Sequence, residues 1–178
     1  MAEERFGALM GALDAPMAVV TTTAGGERGG CLIGFHAQSS IDPARYTVWL
    51  SKANHTYRLV LRASHLAVHF LAAGDHELAR LFGTLSGDEV DKLERCDHRE
   101  GPGGVPMLTT CPNRLVVARV ALLDEGGDHV CVTGDVIDVH SSGSFEPLRL
   151  SDVSDLDAGH EAEERPAPPT ERAASTPT

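Results

Sequence analysis

The sequence predicts an antiparallel β-barrel with helices packed on its outside. Three observations carry that expectation. Six or seven short β-branched or alternating runs are joined mostly by hairpin-type turns. Three short segments have helical apolar spacing. The strands do not alternate regularly with crossover helices, which argues against a doubly wound parallel sheet.

The first helix carries Phe6, Leu9, Met10 and Leu13 at i, i+3, i+4 and i+7, and Asp14-Ala15-Pro16 ends it. MAVVTTT (17–23) reads as a strand. Ala24-Gly25-Gly26-Glu27 turns it into a second strand, GGCLIGFHAQSSI (29–41), which Asp42-Pro43 breaks. Residues 46–50 form the next strand. Asn54 suits a helix N-cap, because its side-chain oxygen can accept from a first-turn N–H; Tyr57, Val60 and Leu61 give that helix an apolar face. HLAVHFL (65–71) alternates as a strand. Asp75 is expected to cap the third helix, with Leu78, Leu81 and Phe82 inward. Residues 84–104 are polar and Gly-rich and read as a surface excursion. The long strands 114–125 and 129–140 flank Gly126-Gly127-Asp128, a strong hairpin signal. PLRL (147–150) is the last strand-like run.

Leu156 is the last large apolar residue. The segment 157–178 holds Ala, Pro, Thr and charges, too little apolar surface to offset its ordering entropy, and is expected to be a disordered tail behind a single domain, 1–156.

A chain of 178 residues buries roughly two thirds of its unfolded surface and needs no metal or disulfide to hold it together. Its net charge of −11, without a basic run, argues against a nucleic-acid binder. No apolar run is long enough for a membrane helix, and the acidic N-terminus does not resemble a signal peptide. Cys31, Cys96, Cys111 and Cys131 form no C-x-x-C pair and read as reduced thiols of a cytoplasmic protein. No three or four ligands have zinc spacing; Cys96-Asp97-His98 alone is not a metal site, so no metal is expected. Only two lysines, Lys52 and Lys92, stand against thirteen arginines, which singles out both.

Three places could hold chemistry. Strand 29–41 is small and apolar at Gly29–Gly34, then polar on both faces at His36, Gln38, Ser39 and Ser40. It is either a backbone wall that a flat ligand approaches closely or a strand running out into solvent. Ser51-Lys52-Ala53-Asn54-His55-Thr56 joins a strand to a helix and offers a charge, hydroxyls and helix-N-terminal amides. That set suits a phosphate, but also an ordinary N-cap beside a surface lysine. His129 follows a Gly-Gly turn and faces either a ligand or solvent. Nucleophile elbow, phosphate-binding Walker loop, HExxH and GxGxxG are all absent.

Taken together, GCLIGFHAQSSIDPARYTVWLSKANHTYRLV (30–60), AVHFL with ELARLFG (67–83) and GDHVCVTGDV (127–136) resemble the flavin reductase-like family of FMN-binding split β-barrels. The likeness runs in order over about residues 5–150. It implies a homodimer that binds FMN, with FAD possible, and takes hydride from NAD(P)H onto flavin N5. The electrons would serve a partner monooxygenase or another acceptor. It implies that Gly34, Phe35, His36, Ala37 and Gln38 run along the flavin ring, and that Gln38 and Ser40 reach the ribityl chain or phosphate. Ser51, Lys52, Asn54 and Thr56 would take the phosphate, Phe82 would pack at the cofactor rim, and His129 would sit by the flavin or nicotinamide. Many members carry Asn-Ser-Phe-Thr-Ser where this chain has Gly34-Phe35-His36-Ala37-Gln38, so hydroxyl contacts shift to the backbone. Hydride transfer needs no acid–base dyad, because the cofactor supplies the chemistry. The alternative is a split barrel that binds flavin, deazaflavin or haem without turnover.

Overall fold

A computed structural model describes residues 1–157. The expected tail therefore lies, apart from Asp157, outside the described residues. The strands are β1 (Ala18–Ala24), β2 (Glu27–Ile33), β3 (His36–Ser40), β4 (Arg45–Ser51), β5 (His65–Phe70), β6 (His98–Glu100), β7 (Pro106–Leu108), β8 (Arg114–Leu123) and β9 (His129–His140). The helices are α1 (Ala2–Leu13), α2 (His55–Val60) and α3 (His76–Thr84). Seven strands form one sheet in the order β2-β1-β5-β8-β9-β4-β3, and its pairs are antiparallel.

Period-2 patterning builds the core. Ala18 and Val20, Val48 and Leu50, Leu66 and Val68, Leu115 and Val117, and Val130 and Val132 all point into one buried cluster inside the barrel. The intervening residues of β1, β5 and β8 are buried too: Val19 packs against α3 and its neighbours, and Ala67 and Val116 pack under β7. These strands are therefore covered on both faces over these residues, β5 included, although its sequence alternates.

The strand expected over 29–41 is two strands. β2 and β3 lie at opposite ends of the sheet order, yet Ile33 and His36 are close neighbours in the chain. A few residues span at most roughly 3.5 Å each, so the sheet has to curl until its edges approach. Gly34-Phe35 is the crossing, pinned by Trp49 N–H donating to the Phe35 carbonyl at 2.9 Å. The change from one-sided to two-sided polarity at this point is the sequence trace of that switch.

Two other expectations are corrected. The excursion 84–104 is not merely surface: Leu93 and Lys92 are buried in a 3-10 turn, Lys92–Arg95, and β6 pairs with β7 as a small second sheet. PLRL forms no strand; Pro147 and Arg149 make single bridges to Ala72 and Pro16, and the chain then enters a 3-10 turn, Leu150–Val153. The first helix forms as expected and ends at Asp14 in a left-handed conformation, φ 49°. Its apolar face, however, is not buried in this chain, and Phe6, Leu9 and Leu13 are exposed. Among the described residues no helix is long and apolar enough to cross a membrane, and no cluster could hold a metal ion.

Candidate functional site

A cleft of about 400 Å³ opens where the β2–β3 crossing meets the end of β4, the start of α2, α3 and the β8–β9 hairpin. Each wall follows from local sequence. Gly34 carries no side chain, and a Cβ there would already touch Met17 Sδ at 3.4 Å, so backbone forms that wall. Trp49 alternates out of β4 between the core residues Val48 and Leu50 and faces the cleft. Asn54 begins α2, its Oδ1 accepting from Thr56 N–H at 3.1 Å. Phe82 and Gly83 come from α3; Phe82 is buried.

His129 opens β9 opposite Ser51, directly across the β4–β9 ladder. Its Nδ1 lies 2.8 Å from Asp128 Oδ1, and its ring centroid is 5.1 Å from that of Phe35. The hydrogen bond from His129 holds the Asp128 carboxyl below the usual carboxylate range. With His129 bonded through Nδ1, its Nε2 is left available toward a ligand.

The structure gathers Gly34, Phe35, Ser51, Asn54, Phe82 and His129 of the sequence-derived set around this one cleft. The others lie elsewhere. His36 turns away: its Nε2–H donates to the Pro16 carbonyl at 2.9 Å, its Nδ1 accepts from Tyr46 O–H at 2.6 Å, and its ring packs on Phe70. Burial pushes the His36 pKa down and that of Tyr46 up to about 12, so both stay neutral partners. Ala37 is exposed on β3, while Gln38 and Ser40 border a shallow depression at the end of that strand. Lys52 lies just outside the lining. Its Nζ is 2.7 Å from Asp124 Oδ1, and its backbone N–H donates to the Asp128 carbonyl. Thr56 is fully buried behind the wall, beside the Cys31 thiol.

Sequence reasoning missed Trp49, Cys31 and Asp128, and the C-terminal Leu150, Val153 and Leu156, all of which line the cleft. Asp128 was legible as the neighbour of His129 in a tight hairpin. The C-terminal residues had no local signal, because only the fold carries their turn to the cleft. The lining is mostly apolar and aromatic, with hydrogen-bonding groups of Ser51, Asn54 and His129 at its rim, and Lys52 nearby. Its volume, its side-chain-free strip and its aromatic walls fit a flat heteroaromatic cofactor.

Comparison with known proteins agrees with that chemistry. Over 143 residues the chain is 29% identical to an NADH-dependent FMN reductase of Agrobacterium fabrum, covering 80% of this chain and 78% of the relative. It is 24% identical over 135 residues to an NAD(P)H-dependent ferric-chelate reductase of Archaeoglobus fulgidus, covering 75% and 80% of the two chains. Among solved structures it resembles an FMN-binding protein of Thermus thermophilus, crystallised with bound 1-cyclohex-2-enone, at TM-score 0.66 and 28% identity over 71% of this chain and 70% of that one. Residues 10–153 match the flavin reductase like domain, and with its split barrel the chain belongs to that family.

Proposed function

We propose that this protein is an NAD(P)H-dependent flavin reductase that binds FMN, or FAD, in the cleft between Gly34-Phe35, Trp49, Phe82 and His129. The single observation that carries the reading is the convergence of a side-chain-free strand crossing, aromatic walls and an Asp128-oriented histidine in one cleft. When bound, the flavin supplies the hydride acceptor for the nicotinamide.

The chain's own residues then have distinct tasks. Gly34 lets backbone approach the ring plane, and Phe35, Trp49 and Phe82 exclude water from its faces. Ser51 and Asn54 offer hydrogen bonds toward the ribityl chain and phosphate, and Lys52 supplies the charge nearest to them. His129, held by Asp128, presents Nε2 where a nicotinamide carboxamide or a flavin edge can meet it. No residue needs to accept a proton for hydride to move, because the cofactor supplies the chemistry.

The test is an anaerobic absorption spectrum of protein loaded with FMN, before and after NADH. A flavin band that bleaches supports the reductase. A bound flavin that persists in its oxidised form converts the reading to a flavin carrier.

The protein is read further as a cytoplasmic homodimer that passes electrons to a separate acceptor, such as a monooxygenase. The dimer is supported by α1, which buries none of its residues in the single chain and leaves Phe6, Leu9 and Leu13 exposed along one face. Light scattering of the wild type and of Leu9→Asp checks it: a dimer that falls to a monomer is expected, and a wild-type monomer sinks it.

A further inference from the structure

Lys92 is only 4% exposed, yet no carboxylate pairs with it among the described residues. Its Nζ donates to the Phe82 carbonyl at 3.2 Å and the Leu85 carbonyl at 3.0 Å, the open end of α3, and stands 5.5 Å over the Phe82 ring. These contacts satisfy the donors but leave the charge uncompensated, since carbonyls and ring faces carry only partial charges. The adjacent Asp91 is committed elsewhere, accepting from Arg28 at 2.9 Å and from Leu93 N–H at 2.9 Å. Phe82 and Cys31 both line the cleft; Lys92 stands over the Phe82 ring, and its charge opposes the burial that pushes the Cys31 thiol up. A buried, uncompensated ammonium thus stands directly behind the cleft wall. Among the described residues the lining itself contributes the carboxylates Asp128 and Asp157 and no lysine or arginine.

We propose that Lys92 is a positioning residue of the flavin site that acts through the Phe82–Cys31 wall, its buried charge favouring the reduced, more negative state of the flavin over the oxidised, neutral one. The inference rests on the flavin-reductase reading. The reduced flavin ring loses a proton near neutral pH and carries a negative charge, and a buried, preorganised cation stabilises such charge without having to reorganise. A role confined to capping α3 would affect folding stability and leave this preference unmoved.

The experiment is a reductive titration of the FMN-loaded protein against a reference dye, with dithionite as reductant, for the wild type, Lys92→Met and Lys92→Arg. FMN binding by the wild type is measured first; its failure sinks the flavin reading itself. With FMN bound, Lys92→Met is expected to lose about tenfold of the preference for reduced over oxidised flavin, a fall of about 30 mV for a two-electron couple. Lys92→Arg is expected to stay within about threefold of the wild type, because it keeps the charge. An unchanged potential in Lys92→Met overturns the proposal, as does an equal fall in both variants. If Lys92→Met does not fold, Lys92→Gln takes its place. If neither folds, the wild type decides: bound FMN must titrate at or above the potential of free FMN, and a potential about 30 mV below it overturns the proposal.

Discussion

Lys52 Nζ sits 2.7 Å from Asp124 Oδ1, so the lysine beside the Ser51–Asn54 rim is held by the β8–β9 hairpin. Asp124 also accepts from Gly126 N–H, and the Lys52 bond together with this one lowers its pKa. Phosphate capture then competes with an existing ion pair. Lys52→Ala is expected to weaken FMN binding by about 1 kcal/mol, at the low end for a charge-assisted contact because the site is partly solvated. Asp124→Asn is expected to tighten it by releasing the lysine. Flavin fluorescence quenching measures both. Two variants with wild-type affinity would remove Lys52 from the phosphate site.

The Asp128–His129 pair predicts a division between binding and turnover. His129→Ala should lower kcat with NADH by about tenfold to a hundredfold, in the range typical of lost orienting contacts, while FMN stays bound. Asp128→Asn should lower it less, because the ring loses its orienting carboxylate but keeps its place beside Phe35. Steady-state rates together with flavin content check this. A His129→Ala protein that turns over normally ends that histidine's role.

His69 makes stability pH-dependent. It is fully buried; its Nδ1–H donates to the Val19 carbonyl at 3.2 Å, and its Nε2 accepts from Leu108 N–H at 3.0 Å. Burial, opposed by the Val19 bond and aided by Arg114, takes its pKa from the ordinary 6.5 to about 4. The unfolded chain therefore binds a proton over a window in which the folded chain does not. Stability is full above about pH 6.5 and declines as pH falls toward 4, with about 3 kcal/mol lost across the window. Urea unfolding at pH 7 and pH 4.5 measures the decline. Equal midpoints would mean that His69 is not held neutral.

Gly30 couples the sheet to the cleft wall. A Cβ there would stand 2.7 Å from the Val20 carbonyl and 2.9 Å from Phe82 Cε1. The carbonyl belongs to the β1–β2 ladder and cannot move cheaply, so Gly30→Ala should cost about 1–3 kcal/mol and displace Phe82. A lower Tm with weaker FMN binding is expected. An unshifted melting curve would show that the wall has slack.

The barrel class, the hairpins at Gly25-Gly26 and Gly126-Gly127, and the helix start at Asn54 were all legible in the chain, because turn chemistry, capping and period-2 burial act over a few residues; α3 also starts after Asp75, but the Asp75 carboxylate accepts from Ala72 N–H at 2.8 Å instead of capping the helix. So was much of the site: Gly34, Phe35, Ser51, Asn54, Phe82 and His129 meet at one cleft. What the tertiary structure decided depends on partners far away in sequence. It split the run 29–41 at Gly34-Phe35 so that the sheet could close, and turned His36 toward Pro16 and Tyr46. It also gave Lys52 to Asp124, buried Lys92 under Phe82, and carried Leu150, Val153 and Leu156 to the cleft. Local pattern records that a face is buried or that a charge is present. Which group meets it is fixed only when barrel closure brings distant strands together.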